Sequence, residues 1–112
     1  MEWVKYTYMP KRRQMKPLAS LHAGGRTLWL NRTTIEGITE QYAECYYDAN
    51  SGAIGIKPLT NGSHKIIHTP NGGYISIGGF VSQFEVDAKL YLKRPIKRRE
   101  GMLVMYPLDR PF

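Results

Sequence analysis

Ala43-Glu-Cys-Tyr-Tyr47, a turn, and then Gly52-Ala-Ile-Gly-Ile-Lys-Pro-Leu59 form the stretch whose reading decides the fold. The pattern returns near the C-terminus as Ala88-Lys-Leu-Tyr-Leu92, a connection four residues longer, and Gly101-Met-Leu-Val-Met-Tyr-Pro-Leu108. Glycine, apolar alternation, the Pro-Leu ending and Ala-x-x-Tyr recur in the same order, which marks an internal duplication. Apolar residues alternating at a period of two predict strands with one buried face. Asp48-Ala-Asn-Ser-Gly52 has the Asn and Gly residues that a tight reversal needs, so each copy ends in a hairpin.

Working outward, His22-Ala-Gly-Gly-Arg-Thr-Leu-Trp-Leu30 parallels His68-Thr-Pro-Asn-Gly-Gly-Tyr-Ile-Ser-Ile77, with Gly24-Gly25 and Gly72-Gly73 read as hairpin turns. The predicted strands of the first copy are Leu18–His22, Arg26–Leu30, Tyr42–Tyr47 and Ala53–Pro58. Asn31 is a good N-cap for a short helix Arg32–Thr39, whose inner face holds Ile35 and Ile38. In the second copy the strands are Lys65–His68, Tyr74–Ile77, Ala88–Lys93 and Met102–Tyr106, with a helix Phe80–Val86 carrying a Phe80, Val81 and Phe84 stripe. Trp3–Met9 reads as an extra strand. The chain is thus one domain: residues 1–17 an N-terminal strand and basic connection, 18–59 repeat one, 60–63 a linker, 64–108 repeat two. A copy of about 45 residues cannot bury its own faces. The expected fold is therefore mainly β, a small barrel of two interlocked βαββ-type repeats, swapped-hairpin or double-psi-like, with short helices.

Several chemistries find no support. Cys45 stands alone in an apolar strand with no neighbouring His to activate it, so it reads as a small buried hydrophobe. His22, His64 and His68 lack metal-ligand spacing, since positions four apart meet on a helix and not on a strand. Glu36, Glu40 and Glu44 read as a solvated edge. No phosphate-cradling glycine loop and no nucleophile–base pair occur. The expectation is a protein that is not an enzyme and has no metal or cofactor. The N-terminus lacks the apolar core of a signal peptide and no apolar run is long enough to span a bilayer, so the expected location is cytoplasmic, without membrane association.

The 112 residues carry 16 Lys+Arg against 9 Asp+Glu, a net charge of +7. That balance favours contact with polyanions. The charge is clustered. Lys11, Arg12, Arg13 and Lys16 form one group, and Lys93, Arg94, Lys97, Arg98 and Arg99 the other, nine of the sixteen cations in two segments read as loops. Cationic loops on a rigid barrel suit phosphate contact, because Lys and Arg release counterions on binding. Tyr6, Tyr8, Tyr46, Tyr47, Tyr74, Tyr91 and Trp29 lie on predicted strands, where β-propensity and core packing account for them and stacking on unpaired bases is the other use. Tyr46 and Tyr47 are adjacent, so one of them faces outward.

Gly25-Arg26, an alternating strand, a capped short helix and a hairpin closing on Ile54-Gly-Ile-Lys-Pro-Leu59 resemble the AbrB/MazE/MraZ group over residues 18 to 108. The resemblance implies a swapped-hairpin barrel, duplicated within one chain as in MraZ, and a DNA-binding transcriptional regulator. Family members often have Asp where this chain has His22, and Pro and Arg where it has Asn31 and Ile35. In the second copy the Arg of Gly-Arg is Tyr74. Only Arg26, and more loosely Arg32, carry across as DNA contacts. The expected partner is nucleic acid, DNA ahead of RNA, with a homodimer left open. The alternative is an interaction module, such as a phage- or mobile-element-encoded inhibitor that binds an acidic protein surface through the same cations and tyrosines.

Overall fold

In the computed structural model, which describes residues 2–5 and 16–108, the apolar alternation is realised as strands that close on themselves. Among the described residues these are β1 (Leu18–His22), β2 (Thr27–Asn31), β3 (Tyr42–Asp48), β4 (Ala53–Leu59), β5 (His64–Thr69), β6 (Gly72–Ser76), β7 (Arg94–Arg99) and β8 (Met102–Met105). The ring runs β1-β2-β6-β5-β3-β4-β8-β7, all antiparallel, and β7 returns to β1. The protein is mainly β, with a closed eight-stranded barrel and two short α-helices, α1 (Arg32–Glu36) and α2 (Gly78–Gln83).

Alternate residues of each strand point inward. Leu28, Leu30, Ile54, Ile56, Ile75 and Met105 are wholly enclosed. Each such side chain contributes about 1.5–3 kcal/mol relative to exposure, an upper bound because the unfolded chain is itself partly compact. Closure removes the free strand edges that would otherwise invite aggregation.

Asn31 starts α1 as expected, its Oδ1 accepting from the Thr34 amide at 3.0 Å. Ile35 and Ile38 are buried beneath it. The helix ends at Glu36, three residues short of the predicted Thr39, because Gly37 takes the C-cap. α2 begins at Gly78 with Ile77 as N-cap, and no side chain caps it. It too stops early, at Gln83, with Phe84 as C-cap.

Residues 64–108 depart from their sequence reading in three places. Ala88–Tyr91 is a turn of 3-10 helix, not a strand, because the Asp87 carboxylate accepts the Lys89 amide at 3.1 Å and winds the chain there. The strand falls instead on Arg94–Arg99, the segment read as a basic loop, and it reverses tightly through Glu100 and Gly101, both at positive φ. Gly72 and Gly73 are the first residues of β6, not the turn, which lies before them at Pro70–Asn71. Among residues 2–5 no strand forms, and the rest of the expected Trp3–Met9 strand lies outside the described residues.

Candidate nucleic-acid interface

Asn31 organises one end of the barrel. Besides capping α1, its Oδ1 accepts the Leu18 amide at 3.1 Å and its Nδ2 donates to the Lys16 carbonyl at 2.9 Å. The segment entering β1 is thereby pinned to the N-terminus of α1, where Arg32 begins the helix. That same segment lies against β7: the Ile96 amide donates to the Pro17 carbonyl at 3.2 Å, and Leu18 pairs with Pro95. Lys16 and the basic strand are therefore neighbours.

Alternation along β7 turns Ile96 into the core and Lys97 and Arg99 outward. Arg98 shares the inward direction of Ile96 but has passed the barrel rim, so it stays exposed and donates from Nη2 to the Gly37 carbonyl at 3.2 Å, at the C-terminus of α1. Arg32 makes an exposed ion pair with Glu36 at 3.2 Å. Such a pair contributes at most about 1 kcal/mol and yields readily to a competing anion. Lys16, Arg32, Lys97, Arg98 and Arg99 thus gather around α1 and the adjoining end of β7.

The remaining predicted cations lie elsewhere. Arg26 precedes β2 and Arg32 follows it, so at about 3.3 Å per residue they stand about 20 Å apart. The Arg26 carbonyl accepts the Ile77 amide at 2.9 Å, beside α2. Lys93 lies beside Ser20, the middle residue of β1, with φ of 49° and its amide donating to Ser20 Oγ at 2.6 Å. Arg94 is half-buried and its Nε donates to the Tyr106 carbonyl at 3.0 Å. Lys11, Arg12 and Arg13 lie outside the described residues. Lys57 was missed by the sequence reading, because it is isolated from both clusters. Its exposed position on β4 follows from the same alternation that buries Ile54 and Ile56.

Burial, and secondarily the Glu44 carboxylate, push the Cys45 thiol up to about 12, so it is protonated and a poor nucleophile at neutral pH. Among the described residues no group of three or more His, Cys, Asp or Glu side chains could hold a metal ion. Nor, among them, is any helix long and apolar enough to cross a membrane. A cleft of about 270 Å³ opens at the far end between Tyr47, Ser51, Glu85, Asp87 and Tyr91, and Asp87 there is already engaged in capping.

In comparisons with protein-family models, curated proteins and solved structures, nothing matches the chain.

Proposed function

We propose that the chain is a nonenzymatic nucleic-acid-binding protein, a transcriptional regulator of the AbrB/MraZ type, that holds phosphates with the basic end of its barrel. The observation that carries this reading is the bond from the Ile96 amide to the Pro17 carbonyl, which sets Lys16, the last residue of one basic cluster, beside the other. Lys16 and the cations of β7, separated by about eighty residues of sequence, then act as one surface. Lys16, Arg32, Lys97, Arg98 and Arg99 supply the charge, and Lys11, Arg12 and Arg13 precede Lys16 in the chain.

The swapped-hairpin repeat belongs to the same proposal, and the pairing supports it. The first hairpin of residues 18–59 joins the second hairpin of residues 64–108 through β1 and β7, and β3 joins β5 in the reciprocal sense. In the β4–β8 pair, Gly55 faces Val104, flanked by Ile54 with Met105 and Ile56 with Leu103. That is the register a two-fold axis through Gly55 and Val104 would impose when Gly52 is matched to Gly101.

Binding to a DNA duplex should weaken linearly on a log–log salt plot, with a slope of about −4 if four or five phosphates are neutralised. Removing Arg98 and Arg99 together, each to Ala, should reduce that slope by about two. Fluorescence anisotropy across a salt series reads both. A flat salt response, or binding unchanged in the double variant, sinks the proposal.

A further inference from the structure

The outer face of β3, β4, β8 and β7 shares Lys97 and Arg99 with the basic end but adds Tyr46, Lys57 and an apolar centre that duplex contact at the barrel end does not use. Strand register builds it row by row. Tyr46 pairs with Gly55, Gly55 with Val104 and Val104 with Lys97. The next outward row runs from Glu44 through Lys57 on to Met102 and Arg99. Tyr46 is 48% exposed, although it sits in the middle of a strand. Gly55, at the centre of the face, leaves a depression filled by the Met102 side chain: a Cβ at 55 would meet Met102 Sδ at 2.7 Å. An exposed aromatic, a pliable thioether and half-buried Val104 make the middle of the face apolar, with cations Lys57, Lys97 and Arg99 around it.

The two carboxylates of this face are occupied. Glu44 accepts from the Ser63 amide at 2.7 Å and its hydroxyl at 3.0 Å, and Asp48 accepts from the Asn50 amide at 3.1 Å and the Ser51 hydroxyl at 2.8 Å. Both stand on β3, at the edge away from Lys97 and Arg99. The opposite face of the barrel carries the paired Trp29 and Tyr74, both half-buried, beside Ser20 and Ile67, and on its four strands Lys65 of β5 stands as one outward cation against the three of the β3-β4-β8-β7 face. The number of outward cations distinguishes the two faces.

We infer that the β3-β4-β8-β7 face binds single-stranded nucleic acid, stacking a base on Tyr46 and seating the backbone against Lys57, Lys97 and Arg99. From Tyr46 to Lys97 is three inter-strand steps of about 4.8 Å, about 14 Å in all, a platform broad enough for a short run of unstacked bases. An exposed ring on a sheet face with cations along the margin suits sequence-tolerant single-strand binding, since every base has a π-face and every phosphate a charge. A duplex hides its base faces and cannot use Tyr46. This rests on the nucleic-acid reading above and names its substrate class.

The test is anisotropy with a labelled twelve-nucleotide oligothymidylate and oligouridylate, and with a duplex of the same length, on the full chain. Tyr46→Leu keeps an apolar side chain over Gly55 while removing the ring, and Tyr46→Phe keeps the ring. Tyr46→Leu should weaken single-strand binding roughly 5- to 100-fold, the scale of one lost base–aromatic stack, leave duplex binding within two-fold, and be rescued by Tyr46→Phe. Lys57→Gln should lower single-strand affinity and its salt slope by about one. If single-strand affinity is unchanged in Tyr46→Leu, or falls equally for the duplex, or is not rescued by Phe, the platform is wrong while the basic end stands. Wild-type protein that binds none of the three at low salt removes both, and directs attention to a protein partner for the face.

Discussion

Cys45 shares the inward parity of Ala43 and Tyr47 on β3 and packs at the margin of the core. Its thiol, ordinarily near 9, is pushed up to about 12, chiefly by burial. Between those two values the unfolded chain gives up the proton and the folded chain keeps it. The native state then binds more protons, so stability falls as pH rises from about 9 towards 12 and is untouched below. Cys45→Ala should show a shallower alkaline loss of stability than the parent in urea unfolding at pH 8, 9 and 10, and the parent thiol should react with iodoacetamide only on unfolding. Equal alkaline slopes would contradict this account. Gly72 is constrained differently. It sits at φ of 146°, and a Cβ there would collide with the Leu30 carbonyl oxygen across the β2–β6 pair. Gly72→Ala should cost more than about 2 kcal/mol in denaturant unfolding, since both the backbone and its neighbour must shift.

At the level of elements, α1 is held by one side chain. Asn31→Ala removes the helix cap and leaves the Leu18 amide without its acceptor, so the loss should reach about 2–3 kcal/mol, above the range of a cap alone. Asn31→Asp keeps the acceptor and loses only the bond to the Lys16 carbonyl, so chemical denaturation should find it near 1 kcal/mol. A common value for the two variants would mean that the Oδ1 acceptor contributes nothing and that only the bond to the Lys16 carbonyl counts. This element was legible because an N-cap is a local signal. So were β1 and most of β3 and β4, where alternation reports a buried face directly. β7 was not. Its inward positions are Arg94, Ile96 and Arg98, and only Ile96 reaches the core, so the segment looks like a cationic loop. Leu90 and Leu92 around Tyr91 imitated a strand, and the capping carboxylate of Asp87 overrode that pattern. The basic clusters were plain from charge alone. The adjacency of Lys16 to the cations of β7 depends on the β1–β7 seam, a long-range contact that no local pattern encodes. Which of Tyr46 and Tyr47 faces solvent likewise required the register of β3: Tyr47 stacks with Phe84 at 5.1 Å, and Tyr46 points away.

For the whole molecule, the decisive feature is where the strand pairings fall. Among the described residues, segment 18–59 contains two internal pairings, β1 with β2 and β3 with β4, and segment 64–108 contains β5 with β6 and β7 with β8. Every hydrogen-bonded link between hairpins crosses from one segment to the other: β1–β7, β2–β6, β3–β5 and β4–β8. An isolated two-stranded hairpin is at best marginally stable in water, and neither half holds its own two hairpins together. Folding must therefore assemble all eight strands in one event, and unfolding should be a single cooperative transition with coincident far-ultraviolet and fluorescence midpoints. A chain divided between Asn61 and Gly62 tests this directly, because the cut lies in the linker outside every strand. Each fragment alone should give the circular dichroism of an unfolded peptide, while the equimolar mixture should regain the spectrum of the intact chain and its salt-dependent nucleic-acid binding. Stable folding of either fragment by itself would show that the halves are separate units, and the continuity of the basic end across the β1–β7 seam would then lose its physical basis.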